Sequence, residues 1–123
     1  MPIKLHKPTS AGRRNSSVQD FSDITKFNPE KSLIVPLKKN SGRNNTGKIT
    51  VRHQGGGVKR YYRKVDFKQQ IFDIPATVTA IEYDPNRGPR VALVEYENGV
   101  KSYILGYQGI KVGDRIVSSK EKV

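Results

Sequence analysis

The sequence predicts an all-β protein, a small barrel of five strands that carries a long, extended and basic N-terminal extension. Three observations support this prediction. Short runs of β-branched and aromatic residues alternate with Gly, Pro, Asn and Asp turns after residue 57, no segment has helical periodicity, and the positive charge lies in the first half of the chain. A chain of 123 residues, of which 34% are hydrophobic, can bury one small core but not two.

The first 36 residues show neither helical nor strand periodicity, and prolines punctuate them throughout. The small residues and arginines of residues 9–17 have little to bury. We therefore expect this segment to be disordered alone and extended when bound to a partner. The apolar run at residues 33–35, directly before Pro36, predicts either a contact with a neighbouring molecule or a brief edge strand.

A glycine-rich excursion follows this segment. Apolar and polar residues alternate at 48–52, three consecutive glycines interrupt the pattern at 55–57, and an extended pattern resumes at 58–67. This arrangement predicts a hairpin-like excursion closed by a glycine turn. In its second arm, Val65 and Phe67 are expected to reach the core and anchor the excursion in the barrel.

The barrel strands are clearest after Pro75, where β-branched and aromatic residues are frequent. Asn98 and Gly99 between two such runs predict a hairpin with a type I′ turn. The five strands are expected at residues 58–67, 76–83, 90–96, 100–105 and 114–117. Five short strands with short connections favour an OB-like barrel, a frequent host of oligonucleotide binding, although strand number alone also fits an SH3-like barrel.

The charge of the chain is strongly segregated. Residues 1–68 contain 16 Lys and Arg against 4 Asp and Glu, which accounts for the whole net charge of +12, whereas residues 69–123 contain seven of each. Within the first half, residues 38–68 carry ten basic residues and one acid, Asp66. A segregated basic segment indicates a polyanionic partner, most commonly nucleic acid. We therefore divide the chain into a basic RNA-binding extension with a Gly-rich excursion, residues 1–57, and an OB-like β-barrel domain, residues 58–123.

The candidate RNA contacts combine three kinds of residue. Cations neutralise phosphates, glycines and asparagines let the backbone lie close to them, and aromatic rings stack on bases. Tyr61 and Tyr62 point to opposite faces of their strand, so at most one can be buried while the other is free to stack. Arg87 and Arg90 form a second small basic site on the turn between two strands. The residues predicted to bind RNA are Arg13, Arg14, Lys39, Arg43, Asn44, Asn45, Lys48, Arg52, His53, Gly55, Gly56, Gly57, Lys59, Arg60, Tyr62, Arg63, Lys64 and Arg87.

Other functional classes lack the residues they need. Residues 42–48 approach a nucleotide-binding phosphate loop, but Ile49 occupies the position where Ser or Thr must bind magnesium, and no helix-forming sequence follows. His6 and His53 are the only histidines and there is no cysteine, so we expect no metal site, no disulfide and no cofactor. The acidic residues are scattered, which argues against an enzyme.

The sequence also gives no indication of a membrane segment or a secretory signal. No apolar run approaches the roughly 20 residues of a membrane span. The first ten residues lack the apolar region of a signal peptide. We therefore expect an intracellular protein of the cytoplasm or an organelle, without a membrane partner.

Five segments resemble one family closely. They are KPTSAGRR (7–14), SGRNNTGKIT (41–50), RHQGGG (52–57), YRKVDF (62–67) and IEYDPNR (81–87). Together they resemble, in order and over nearly the whole chain, the bacterial-type large-ribosomal-subunit protein two family. The resemblance implies binding to large-subunit ribosomal RNA, an OB-like domain with a long N-terminal extension, a structural part in subunit assembly, and a place on a cytoplasmic or organellar ribosome.

The resemblance also sets the remaining expectations. The family continues into a second, SH3-like barrel and a Gly- and His-rich tail, whereas this sequence stops at Val123. We therefore interpret the chain as a fragment, one half of a split protein or a truncation, and the roles of the second half are not transferred to it. Neighbouring ribosomal proteins or a separate C-terminal half are further candidate partners. The alternative is a free-standing OB-type single-strand binder or RNA chaperone.

Overall fold

The β-branched runs after residue 75 pair into one antiparallel sheet in the computed structural model, which describes residues 2–120 of the chain. A 3-10 helix, Lys31–Leu33, is the one helix of this part of the chain. The strands are β1 (Ile3–Leu5), β2 (Ser17–Gln19), β3 (Ile34–Pro36), β4 (Tyr61–Arg63), β5 (Ala76–Glu82), β6 (Val91–Tyr96), β7 (Lys101–Leu105) and β8 (Arg115–Ile116). The all-β fold class is thereby confirmed.

The main sheet has four strands in the order β7-β6-β5-β8, each antiparallel to its neighbours. The β5–β6 register shifts between Val78 and Ala80, and such an irregularity bends a strand and increases its twist. The sheet curls into a half-barrel that is consistent with an OB-like barrel. The four strands predicted after residue 75 all exist, with ends that differ by at most one residue.

The core lies on both faces of this sheet. Four consecutive residues of β6 from Val91 to Val94 are buried, because alternate side chains enter two different hydrophobic clusters. One cluster includes Val78, Val94 and Ile104, and partly buried residues such as Ile116 cover it. The other is built from Ala80, Val91, Leu93 and Tyr103, with Leu33 and Val65 packed against it.

The predicted first barrel strand, residues 58–67, is mostly irregular. Only Tyr61–Arg63 is regular strand, and it pairs with β3 in a separate two-stranded sheet, which confirms the brief strand predicted before Pro36. Val65 then forms a parallel bridge with Tyr103 and is partly buried, as predicted. Phe67, by contrast, is 60% exposed, so its prediction as a core anchor was wrong. The cause is a turn, in which the Asp66 carboxylate accepts hydrogen bonds from the amides of Lys68 and Gln69.

Residues 48–52, the first arm of the predicted hairpin-like excursion, do not form a strand in the described structure. Ile49 makes a single bridge to Arg43, and the amides of Thr50 and Val51 both donate to the carbonyl of Gly42. The chain therefore curls back on itself at this point. An alternation of side chains is not sufficient for a strand when local hydrogen bonds already satisfy the backbone.

The N-terminal residues are more regular than their composition indicates. β1 and β2 pair antiparallel, and residues between Ser10 and Ser16 form the connecting turn. The expected disorder of residues 9–17 is therefore not what the structure shows. Most side chains of this unit are exposed. A pairing made by the backbone alone leaves no periodic pattern of apolar residues, so it could not be predicted from alternation.

The β6–β7 hairpin was predicted correctly, but its turn type was not. Among its residues only Gly99 has a left-handed backbone, with φ of 78°, whereas a type I′ turn needs two such residues. The Gly99 amide donates to the Tyr96 carbonyl, and the Asn98 side chain accepts from the Val100 amide. This is a three-residue loop in which glycine provides the left-handed position.

Residues 121–123, the end of the predicted barrel domain, lie outside the described part of the chain. Between residues 2 and 120 there is no helix of sufficient length and apolar character to cross a membrane. The boundary predicted between residues 57 and 58 stays a prediction.

Candidate nucleic-acid interface

Residues 39–57, here called the basic loop, are shaped by one asparagine. The Oδ1 atom of Asn44 accepts hydrogen bonds from the Thr46 amide at 3.0 Å, the Thr46 hydroxyl at 2.7 Å and the Lys48 amide at 3.0 Å. Asparagine commonly caps turns in this way because its short side chain reaches amides two or more residues ahead. The side chain therefore holds the turn that presents Lys48.

The ends of this turn are closed by the backbone and by a cation. The Arg43 guanidinium donates to the Gly47 carbonyl at 2.8 Å, and the Thr50 amide donates to the Gly42 carbonyl at the same distance. Gly42 has φ of +66°, and an added Cβ would lie 1.9 Å from the Val51 carbonyl oxygen. A residue with a side chain cannot occupy this position without moving the loop.

An open hollow of about 520 Å³ lies against the loop. Its wall is formed by Ser41, Arg43, Ile49, Val51 and residues 52–57. It therefore contains both arginines of the loop that are predicted to bind RNA, together with His53 and the three consecutive glycines 55–57. Gly56 and Val58 carbonyls lie 3.5 Å from the Lys39 ammonium. Part of the wall thus consists of two arginines and of glycine backbone without side chains, an arrangement that suits a phosphate chain.

A group of exposed rings lies on the second arm of the excursion. Tyr61 and Tyr62 are 39% and 37% exposed, so neither is in the core. The Lys59 ammonium is 5.5 Å from the centre of the Tyr61 ring. The Arg87 guanidinium is 5.0 Å from the centre of the Tyr62 ring and 5.5 Å from that of Phe67. These distances are those of cation–π contacts.

Arg87 is held in place by the turn between β5 and β6. Its guanidinium pairs with the carboxylate of Asp84, which is completely buried. Asp84 also accepts from the Asn86 amide, and the Asn86 side chain donates to the Tyr61 carbonyl at 2.8 Å. The turn is therefore joined to β4 by its own side chains. The sequence indicated Arg87 but not Asp84, although the spacing of three residues between them inside a turn was an available signal.

Two predicted surface cations are buried instead. Arg63 is 7% exposed, and its guanidinium donates to the Tyr61 carbonyl at 2.8 Å. It faces inward because β4 turns this side chain towards the buried Glu82, so we remove it from the candidate contacts. Arg90 is 5% exposed and paired with Asp23. The second basic site on the turn is thus reduced to Arg87, whose own side chain is 15% exposed.

Glu82 is the buried acid whose negative charge compensates the positive charges of Arg63 and Lys26. The Tyr103 hydroxyl donates to its carboxylate at 2.6 Å, and the Lys26 ammonium lies 3.7 Å from its other oxygen. Burial raises the pKa of Glu82, while the Tyr103 hydrogen bond and the charges of Lys26 and Arg63 act in the opposite direction. Burial and the neighbouring Glu82 also raise the pKa of Tyr103. This cluster lies inside the fold, and its role is structural.

The remaining predicted contacts are exposed and separate. Arg13 and Arg14 lie in the turn between β1 and β2, outside the hollow. Asn45, Arg60 and Lys64 are exposed on the excursion. The binding of RNA by all these residues stays a prediction.

Within residues 2–120, no three His, Cys, Asp or Glu side chains are grouped so that they could hold a metal ion. The acids with structural roles are paired with cations or turn amides, as Asp23, Asp66 and Asp84 show. The arrangement of exposed cations, open glycines and rings is suited to binding a polyanion rather than to covalent chemistry.

Most of the chain matches the model of a known protein family. The family model described as "Ribosomal Proteins L2, RNA binding N-terminal domain" matches residues 30–118, which is more than half of the chain. The matched segment contains the basic loop, the exposed rings and every strand of the curled sheet.

Proposed function

Because the chain belongs to the ribosomal protein L2 family, by the RNA-binding N-terminal domain of that family, we propose that it binds large-subunit ribosomal RNA as a structural constituent and supports subunit assembly. Proteins of this family are structural rather than catalytic. The proposal places the chain on the ribosome of the cytoplasm or of an organelle, with neighbouring ribosomal proteins or a separate C-terminal half as additional partners.

One observation carries this proposal. The basic loop holds a set of exposed cations in a fixed shape, through the side chain of Asn44 and the backbone of Gly42, whereas residues 69–123 carry no net charge. A preformed loop loses little conformational entropy when it binds. Charge confined to the first half of the chain also orients the protein on a polyanion, since residues 69–123 add no net attraction.

The expected mechanism is electrostatic with close backbone approach. Arg43, Lys48 and Arg52 displace counterions from phosphates, and the three glycines allow the chain to lie within a groove. Contacts of this type fix position rather than sequence, so specificity for ribosomal RNA would come from the shape of its folded helices. Subunit assembly follows if the protein holds RNA segments together that are distant in sequence.

The test is a comparison of RNA partners at several salt concentrations. We expect the chain to bind large-subunit ribosomal RNA more tightly than small-subunit ribosomal RNA and to co-sediment with large subunits in high salt. Lys48→Ala should weaken binding and lower the salt slope by about 1, because one phosphate contact is lost. Lys101→Ala, which removes an exposed charge from β7, is the matched control and should change little.

Two results would contradict the proposal. One is equal affinity for the two ribosomal RNAs together with release from subunits at moderate salt, which is the behaviour of a general single-strand binder or RNA chaperone. The other is an identical effect of Lys48→Ala and Lys101→Ala, which would mean that the basic loop has no special part in binding.

A further inference from the structure

Three rings on the second arm of the excursion remain open to solvent although each could bury apolar surface. Tyr62 is 37% exposed and Phe67 60%, and Tyr61 beside them is 39% exposed. A ring left in water forgoes the stabilisation that burial would provide. In this chain the nearby core is filled by Leu33, Val65 and Tyr103, so these rings lie outside it.

The rings are nevertheless fixed. Arg87 lies against Tyr62 and Phe67 at 5.0 and 5.5 Å from the ring centres, and the buried carboxylate of Asp84 holds its guanidinium. Asn86 adds a hydrogen bond to the backbone of β4 at Tyr61. The rings are therefore positioned by a buried charge pair and a backbone contact, and ordering them on a ligand costs less than ordering free side chains.

We propose that the exposed rings of Tyr62 and Phe67, held in position by the largely buried Arg87, form a stacking site for one unpaired nucleobase of RNA, separate from the basic loop that contacts phosphates. Nucleobases stack on aromatic rings and on guanidinium planes, and this contact is tolerant of sequence because every base has a π-face. The exposed side chains of Lys59, Arg60 and Lys64 are on the same arm and neutralise the phosphates on either side of the base. A protein ligand would have no need of this density of positive charge.

This inference rests on the proposed function, since it gives the RNA-binding surface a second and chemically different subsite. The experiment must therefore separate stacking from charge. We would use the full chain and two oligoribonucleotide probes of 12 residues, an oligoadenylate and an abasic strand with the same number of phosphates. We expect the oligoadenylate to bind more tightly.

The variants separate the two kinds of contact. Tyr62→Leu, which removes the π-face and no charge, should weaken oligoadenylate binding by about tenfold and leave the abasic strand within about twofold. Tyr62→Phe should retain wild-type binding, because the ring is preserved. Lys48→Ala should weaken both strands by a similar factor and lower the salt slope by about 1.

Thermal unfolding followed by circular dichroism checks that the variants fold. If Tyr62→Leu is unfolded, Phe67→Leu gives the same readout, since this ring is 60% exposed and outside the core. The stacking site is refuted if the wild type does not distinguish the two strands, or if the ring variants weaken both strands equally or neither. In those cases a retained effect of Lys48→Ala would still support phosphate binding, so the two proposals fail separately.

Discussion

At the scale of single residues, Asn44 shows how a neutral side chain can control a charged surface. Its Oδ1 atom accepts three hydrogen bonds that shape the turn before Lys48. We predict that Asn44→Ala weakens RNA binding about fivefold, because the loop must then be ordered on binding. The salt slope should stay unchanged, since no charge is removed.

Asn28→Ala is the control for this prediction, because Asn28 is exposed, lies outside the basic loop and makes no hydrogen bond in the described structure. Filter binding at four or five salt concentrations gives both affinity and slope. An Asn44→Ala variant indistinguishable from Asn28→Ala would show that the loop does not need its turn for binding.

Tyr103 and Glu82 give a pH-dependent contribution to stability. Burial raises the pKa of Glu82 above 4.5, so the folded protein binds this proton more tightly than the unfolded chain does. Protonation of Glu82 stabilises the fold fully below pH 4.5, and this stabilisation is lost as the pH rises through the raised pKa of Glu82. At neutral pH the charged carboxylate therefore depends on its hydrogen bond from Tyr103 and on Lys26 and Arg63.

We predict that Tyr103→Phe lowers the free energy of unfolding by about 1–3 kcal/mol at pH 7, because the charged carboxylate and the Glu30 amide both lose a buried partner. The loss should be smaller at pH 4, where Glu82 is protonated. Urea unfolding at the two pH values measures it, with the exposed Tyr107→Phe as control. A loss that is equal at both pH values would mean that Glu82 is not charged in the folded protein.

Residue types and their local spacing indicated candidate site residues, but they did not predict which way those side chains face. Arg63 was predicted to contact RNA because it belongs to a run of cations, yet it is buried where Glu82 compensates its charge. Glu82 is 19 positions further along the sequence. Pairing between distant residues of opposite charge leaves no periodic signal, so neither burial could be predicted from the sequence.

At the scale of elements, the contacts of Arg90 fasten the N-terminal segment to the barrel. Its guanidinium donates to both carboxylate oxygens of Asp23, at 2.9 to 3.2 Å, and lies 5.2 Å from the Phe21 ring and 5.6 Å from the Tyr83 ring. The Arg90 hydrogen bond is also the main cause of the lowered pKa of Asp23. Lysine cannot form a bidentate pair of this kind with a carboxylate.

We predict that Arg90→Lys lowers the free energy of unfolding by about 1.5–3 kcal/mol at pH 7, the value of hydrogen bonds to charged groups. Amide hydrogen exchange should also accelerate in residues 17–26. The pKa of Asp23 is lowered in the folded state. The Arg90–Asp23 pair therefore stabilises the fold fully above pH 3.8, and this stabilisation is lost as the pH falls through the lowered pKa. Arg115→Lys, on an exposed position of β8, is the control, and equal exchange in the two variants would contradict the prediction.

The strands β5 and β6 could be predicted because one full face of each is buried, and β7 because it follows the Asn98–Gly99 turn signal. The short pairs β1–β2 and β3–β4 could not, since three-residue ladders depend on where the chain is brought by distant contacts. The same holds for residues 48–52, where side-chain and carbonyl acceptors inside the loop replaced a partner strand.

At the scale of the whole molecule, the distribution of charge along the sequence predicted a nucleic-acid partner. The position of the domain boundary depends instead on contacts between segments. Residues before position 58 contribute to the barrel through Leu33 in a core cluster, the Glu30 amide on Tyr103, and the hydrogen bonds between Thr25 and Ile81. A barrel that begins at residue 58 lacks all of these contacts. We therefore expect the folding unit to begin earlier than residue 58.

The prediction concerns two truncated chains. Residues 58–123 should unfold at least about 10 °C below residues 20–123, since the loss of the partly buried Leu33 side chain and of several hydrogen bonds costs about 2 kcal/mol or more. Thermal melts without RNA measure the difference. Equal midpoints for the two chains would place the boundary after residue 57, as first predicted.

The closed base of the basic loop has a consequence for how such proteins change over time. The Gly42 carbonyl accepts the amides of Thr50 and Val51, so the two ends of the turn are already in contact. Insertions or deletions between these two ends therefore need not displace the strands that follow. The entropic cost of closing such a loop rises only slowly with its length. The fold of the barrel can therefore stay unchanged while the length and sequence of the basic loop change together with the RNA that it contacts.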